Sequence, residues 1–156
     1  MTDRIIRPIT VEDTDILWHM LYYAAHMNED EGKTVDDARS DPFLRRYVEK
    51  WGQPTDLGFI AEDNSQVLGA VWIRQFEDEP HPELAIAVLP EAIGQGIGTQ
   101  LMERIIDESK NKFPIIMLSV RADNPALRLY QRLGFQTVKE ITNRVGTLSY
   151  EMHLTL

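Results

Sequence analysis

Val88-Leu89-Pro90-Glu91-Ala92-Ile93-Gly94-Gln95-Gly96-Ile97-Gly98-Thr99-Gln100-Leu101-Met102 decides the fold. An apolar run ending at Val88 or Leu89 reads as a strand, and a turn punctuated by glycine follows it. An amphipathic stretch then opens with Leu101, Met102, Ile105 and Ile106 on one helical face. Gly94, Gly96 and Gly98 have no β-carbons, so a ligand can approach the backbone closely. The first N–H groups of a helix have no internal partner, and its dipole places partial positive charge there. Strand, glycine turn and helix start together describe an anion site suited to phosphate or pyrophosphate. A tight connection that binds nothing is the alternative, but one such connection rarely needs three glycines.

Two nucleotide readings fit poorly. The dinucleotide fingerprint is G-x-G-x-x-G with an acid about 20 residues on. Here the spacing is G-x-G-x-G, Thr99 takes the place of the third glycine, and the next candidate strand ends Ser119-Val120-Arg121 without an acid. The sequence also lacks a G-x-x-x-x-G-K-[ST] triphosphate loop.

The second informative stretch is Asn124-Pro125-Ala126-Leu127-Arg128-Leu129-Tyr130-Gln131-Arg132-Leu133-Gly134-Phe135. Asn124 is a natural N-cap, Pro125 suits the first helical position, and Gly134 suits a left-handed residue past the helix end. Taken with the glycine turn, this stretch resembles the GNAT superfamily of N-acetyltransferases. The family's phosphate motif, [QR]-x-x-G-x-[GA], is matched by Ile93 to Gly98 except at its first position, where Ile93 replaces Arg or Gln. The second motif is matched at Asn124, Leu129, Tyr130, Gly134 and Phe135. The resemblance covers roughly residues 57–156.

The resemblance implies a mixed α/β fold in a single domain over residues 1–156. Its sheet would be twisted and mostly antiparallel, with about seven strands flanked by about four helices. A central parallel strand pair would be splayed at the cofactor site. It further implies acetyl-coenzyme A as co-substrate, held by Gly94, Gln95, Gly96, Ile97, Gly98, Thr99, Asn124 and Tyr130, with no metal. Backbone N–H groups near Ala87 or Val88 would polarise the thioester carbonyl. Tyr130 would be the general acid beside the departing sulfur. Glu83 lies where some members carry a carboxylate base; an exposed strand-end glutamate is an equal alternative. Trp18 and Tyr22, on a first helix that helps wall the acceptor site in the family, are candidates for contact with the acceptor. Homodimers are common in the family.

Composition narrows the partners. The chain has 156 residues, 43% of them apolar, which suits one domain with a real core. A net charge of −9 argues against a nucleic-acid surface, which needs clustered Lys and Arg. The sequence has no cysteine, so disulfides, thiolate nucleophiles and Cys-ligated zinc are excluded. The first eight residues lack the apolar core of a signal peptide, and no stretch approaches 18 consecutive apolar residues. A soluble cytoplasmic location is the default expectation.

In chain order, Arg4 to Arg7 reads as a strand closed by Pro8. A helix is expected from Val11 to about Met27, with Thr10 and Asp13 at capping-box spacing. Leu17, Met20, Leu21 and Ala24 form its core face, while Trp18, Tyr22 and His26 share a neighbouring one. The polar, acidic loop Asn28-Glu29-Asp30-Glu31-Gly32-Lys33 is a solvated connection or a guide for a protonated amine. A second helix is expected from about Thr34 to Trp51, broken or bent near Pro42, with Phe43, Leu44, Tyr47 and Val48 inward. Strands follow at Leu57 to Glu62, Gln66 to Phe76, Glu83 to Val88, Ile115 to Val120, Gln136 to Thr142 and Thr147 to Leu154.

Acetyl transfer from a thioester to an amine needs a neutral nucleophile, a polarised carbonyl and a protonated leaving thiolate. An alkylammonium group titrates near pH 10 or so, so a base or water chain must accept its proton. A phenol of about that same pKa stays protonated at neutral pH and can donate to a thiolate whose conjugate acid lies at about 8.5. The acceptor, a small molecule or a protein amine, is not encoded in any motif. A catalytically silent acyl-coenzyme A-binding regulator and an interaction module using a sheet edge remain as alternatives.

Overall fold

The computed structural model describes residues 4–29, 32–142 and 146–156. Its strands are β1 (Arg4–Pro8), β2 (Leu57–Asp63), β3 (Gln66–Arg74), β4 (Glu83–Val88), β5 (Ile115–Arg121), β6 (Gln136–Thr142) and β7 (Leu148–Thr155). They are hydrogen-bonded in the order β1-β2-β3-β4-β5-β7-β6. Ladders β1–β2, β2–β3, β5–β7 and β6–β7 are antiparallel, and β4 pairs with β5 in parallel. Five α-helices accompany them: α1 (Thr14–Ala24), α2 (Val35–Ser40), α3 (Pro42–Arg45), α4 (Ile97–Ser109) and α5 (Leu127–Arg132). This is the mixed, mostly antiparallel seven-stranded fold expected, with one helix more than the expected four.

The extra helix comes from Pro42. Proline lacks an N–H and disfavours helical geometry in the residue before it. Asp41 accordingly is extended (φ −75°, ψ 116°), and its carboxylate accepts hydrogen bonds from Phe43 N–H (2.9 Å) and Leu44 N–H (3.4 Å). Of the break or bend expected near Pro42 in the helix over 34–51, the structure shows the break, with two short helices, and Phe43, expected inward, is exposed. The first helix is likewise shorter than expected. A 3-10 turn at Val11–Asp13 precedes α1, which ends at Ala24, and His26 beyond it has φ +59°. His26 therefore leaves the helical stripe that Trp18 and Tyr22 occupy.

The chain divides into two compact units. One takes in the chain up to Arg74 with Ala85–Asp107; the other is Gln75–Leu84 with Glu108–Leu156. In the first unit, Leu17, Met20 and Leu21 of α1 pack with Ile60, Ala70, Trp72 and Ala87 in one core. Leu101, Met102 and Ile105 of α4 are fully buried, while Ile106 is only half-buried. Gly69 is needed where β3 meets β4: a β-carbon there would lie 2.7 Å from the Ala87 carbonyl oxygen. Strand β3 ends at Arg74, two residues before the expected Phe76, and is buried on both faces from Leu68 onward. The buried Arg74 guanidinium ends it by gripping Asp56 through two bonds, at 3.0 and 2.8 Å, and the carbonyls of Arg46 and Glu49.

In the second unit, β5 and β6 both pair with β7. Alternation sends Met152 and Leu154 to a buried face and Ser149, Glu151 and His153 to the other. Among the described residues, no helix is long and apolar enough to cross a membrane, and no cluster of His, Cys, Asp or Glu is arranged to hold a metal. Asp30 and Glu31 of the expected acidic loop lie outside the described residues.

Candidate active site

The glycine turn falls between a 3-10 turn at Pro90–Ala92 and the start of α4. Gly94 and Gly96 adopt φ +87° and +78°, the left-handed region where side chains are strained. A β-carbon at either position would meet nothing within 4 Å, so open space lies beside both. The first helical hydrogen bond of α4 runs from Gln100 N–H to Gly96 carbonyl at 3.1 Å. The N–H groups of Ile97, Gly98 and Thr99 therefore lack partners four residues back, as the first N–H groups of any helix do. The backbone here has the form an anion cradle requires. Ala87 is buried in the core and Val88 half-buried, at the end of the strand leading into this turn. Ile93, at the departure from the family motif, is 69% exposed.

Arg4 reaches this turn from β1. Its Nη1 donates to the Gln95 carbonyl oxygen (3.1 Å) and to Gln100 Oε1 (2.7 Å). Sequence reasoning missed it, because no local pattern joins residues 91 positions apart.

In the second unit, Tyr130 is the buried residue of α5, while Leu127, Leu129 and Leu133 are only half-buried. The helix ends as Gly134 predicts. Gly134 has φ +104°, its N–H donates to Gln131 carbonyl (3.1 Å), and Phe135 N–H donates to Tyr130 carbonyl (3.0 Å). Phe135 folds back so that its ring meets Tyr130's edge-on at 6.1 Å. Burial pushes the Tyr130 phenol up to about 12. The α-helix itself begins at Leu127, with Ala126 as cap. Asn124 instead organises the turn before it, its Oδ1 accepting from Ala126 N–H at 2.9 Å. Asp123, Asn124, Pro125 and Arg128 help line an open depression of about 430 Å³ there. Glu83 is half-buried at the start of β4, opposite Met117 of β5.

The acetyltransferase (GNAT) family matches residues 18–135. The chain belongs to that family. Among relatives of this GNAT chain, a mycothiol acetyltransferase of Streptomyces griseus is 31% identical over 126 residues. That match covers 79% of this chain and 40% of the relative, so the chain spans about two fifths of its length. The L-amino acid N-acyltransferase MnaT of Escherichia coli is 33% identical over 136 residues, covering 82% of this chain and 73% of MnaT. Among solved structures, yncA of Salmonella typhimurium with its cofactor acetyl-CoA superposes with a TM-score of 0.74 at 23% identity. That superposition covers 98% of this chain and 94% of yncA.

The two aromatic candidates of this GNAT chain are held by its first unit. Trp18 is buried in the core with the Arg39 guanidinium over its ring at 5.2 Å. Tyr22 donates its hydroxyl to the Lys33 carbonyl at 3.2 Å.

Proposed function

We propose that this GNAT chain transfers an acetyl group from acetyl-coenzyme A to a primary amine, directly within a ternary complex. The observation that carries the proposal is the left-handed pair Gly94 and Gly96, with open space beside both, running into the N-terminus of α4. Bare backbone there suits a pyrophosphate, and the N–H groups of Ile97, Gly98 and Thr99 supply donors at the positive end of the helix dipole. Gln95 and Asn124 contribute to the same cofactor's binding.

Acetyl-coenzyme A, when bound, supplies a thioester whose carbonyl carbon accepts the amine. The chain's own residues do the rest. Backbone N–H near Ala87 and Val88 polarises the carbonyl oxygen. Tyr130, which burial keeps protonated well above neutrality, donates its phenolic proton to the leaving sulfur. Glu83 accepts a proton from the amine, directly or through water. The acceptor is a small-molecule or protein amine; the name of MnaT makes free L-amino acids the first to try.

The exposed Ile93 favours a second reading, a catalytically silent acyl-coenzyme A-binding domain. Calorimetry with coenzyme A and acetyl-coenzyme A, followed by thiol-release screening against a broad amine library, separates the two. Saturable binding with thiol release is expected. Binding without release selects the silent domain, and absence of binding to well-folded protein rejects both.

A further inference from the structure

Three hydrogen-bonded strands set a polar row across the second unit. Glu83 lies opposite Met117 in the β4–β5 pair, and Met117 lies opposite His153 in the β5–β7 pair. Directly paired residues point to the same face of a sheet, so Glu83, Met117 and His153 share one. Strands are about 4.8 Å apart, which puts Glu83 and His153 about 10 Å apart along the row. His81, two residues before Glu83, closes part of that span: its ring meets the His153 ring edge-on at 5.2 Å. On the other side, His153 Nε2 lies 3.0 Å from Glu151 Oε2. A carboxylate only accepts hydrogen bonds, so a neutral His153 in this pair carries its proton on Nε2 and presents an unprotonated Nδ1.

Helix α5 belongs to the opposite face. A β-carbon at Gly134, just past the end of α5, would lie 3.1 Å from Leu154 Cδ1. Leu154 is adjacent to His153 and therefore points the other way. The element carrying the buried phenol thus covers one face of β7, and the imidazole that can take a proton stands on the other.

We propose that His153, oriented by Glu151 and backed by His81, receives the proton that the acceptor ammonium must lose before it reacts. The proposal rests on the acetyl-transfer reading above and adds a residue to it. An N–H bond of the ammonium breaks, and its proton goes to His153 Nδ1. The freed lone pair forms the C–N bond to the acetyl carbon as the C–S bond breaks. A second proton leaves the nitrogen as that bond forms and passes to Glu83, directly or through water, and the third stays on the amide. Tyr130 gives its own proton to sulfur and regains one from solvent after transfer. Histidine suits the task because its ordinary pKa lies near neutrality. Glu151 and His81 contact the ring, Glu83 shares its row, and Lys139 of β6 stands opposite Glu151 on the same face.

The test uses the whole chain with acetyl-coenzyme A and a panel of free L-amino acids, spermidine and short peptides with a free amino terminus. The panel member turned over fastest is carried into the pH profile. His153→Gln is expected to lower kcat at pH 7 by about tenfold or more. It should also remove the ascending limb in the histidine range and leave acetyl-coenzyme A affinity within twofold. Added imidazole should restore part of the rate. Glu151→Gln should give a smaller loss without imidazole rescue, as a positioning residue would. If His153→Gln keeps both the wild-type limb and a kcat within twofold, His153 is not the acceptor of the proton. If the wild type turns over no member of the panel although it binds acetyl-coenzyme A, the acetyl-transfer reading itself fails, and this proposal with it.

Discussion

The Arg4 guanidinium of β1 donates to the Gln95 carbonyl oxygen at 3.1 Å, bridging the first strand of the chain to the middle of its glycine turn. That bond fixes the peptide between the two left-handed glycines, and the second bond, to Gln100 at 2.7 Å, ties the same cation to the first turn of α4. Ile93 offers no cation at the position where the family motif carries Arg or Gln. Arg4 brings one to the same turn from elsewhere in the fold.

Arg4→Ala should therefore weaken coenzyme A binding by about tenfold, the worth of one charge-assisted hydrogen bond of roughly 1.5 kcal/mol. At saturating acetyl-coenzyme A, kcat should be unchanged. Isothermal calorimetry and initial rates check the two halves. A loss in kcat with undiminished affinity would contradict a role confined to the turn.

Gly96→Val tests the cradle itself. At φ +78° a β-branched residue is an outlier, while the space beside Gly96 is open, so the damage comes from backbone conformation and from blocking the anion, not from a clash within the protein. Coenzyme A affinity should fall at least about tenfold, since about 1–2 kcal/mol attaches to the conformation alone. Circular dichroism should show the fold retained.

Tyr130→Phe should lower kcat by about a hundredfold or more, the usual worth of a general acid, with little change in acetyl-coenzyme A affinity. The phenol's pKa, raised to about 12 by burial, adds a spectroscopic sign. Between about pH 10 and that value the unfolded chain ionises its tyrosine while the folded chain keeps the proton, so stability falls as pH rises. Ultraviolet titration of the wild type should contain one late tyrosinate transition that the variant lacks.

Most of the fold was legible because its signals are local. Gly94, Gly96 and Gly134 mark turns wherever they occur, and the last of them ends α5 as its position suggests. Strand limits came within one residue for the same reason, with Phe76 the exception at two, because Arg74 terminates β3 through partners 18 to 28 residues away. Pro42 was legible as a break or a bend, and it acts as a break, since Asp41 supplies a fresh cap. The candidate site was legible only where a motif carried it. Arg4 meets Gln95, and His81 meets His153, only through the tertiary fold. The one available hint was that Ser149, Glu151 and His153 alternate with Tyr150, Met152 and Leu154 along β7.

The Arg7–Asp13 pair gives the chain a pH-dependent brace that the capping-box spacing only half announced. Asp13 accepts two bonds from the Arg7 guanidinium, at 2.9 and 3.0 Å, and one from Thr10 N–H at 2.8 Å. The Arg7 bonds, with the Thr10 N–H, hold its carboxyl below the usual carboxylate range despite burial. A carboxyl depressed in the folded state stabilises it at pH values above the unfolded pKa of about 3.9, and that contribution is lost as pH falls through the folded value. Asp13→Asn keeps an acceptor for Thr10 but loses the charge, so it should cost about 1–3 kcal/mol at pH 7. Below about pH 4 the wild type loses the same advantage, and the two proteins should converge. Urea unfolding at pH 7 and through the acid range measures both. A difference that stays constant into acid would show that packing, not the ion pair, carries the effect.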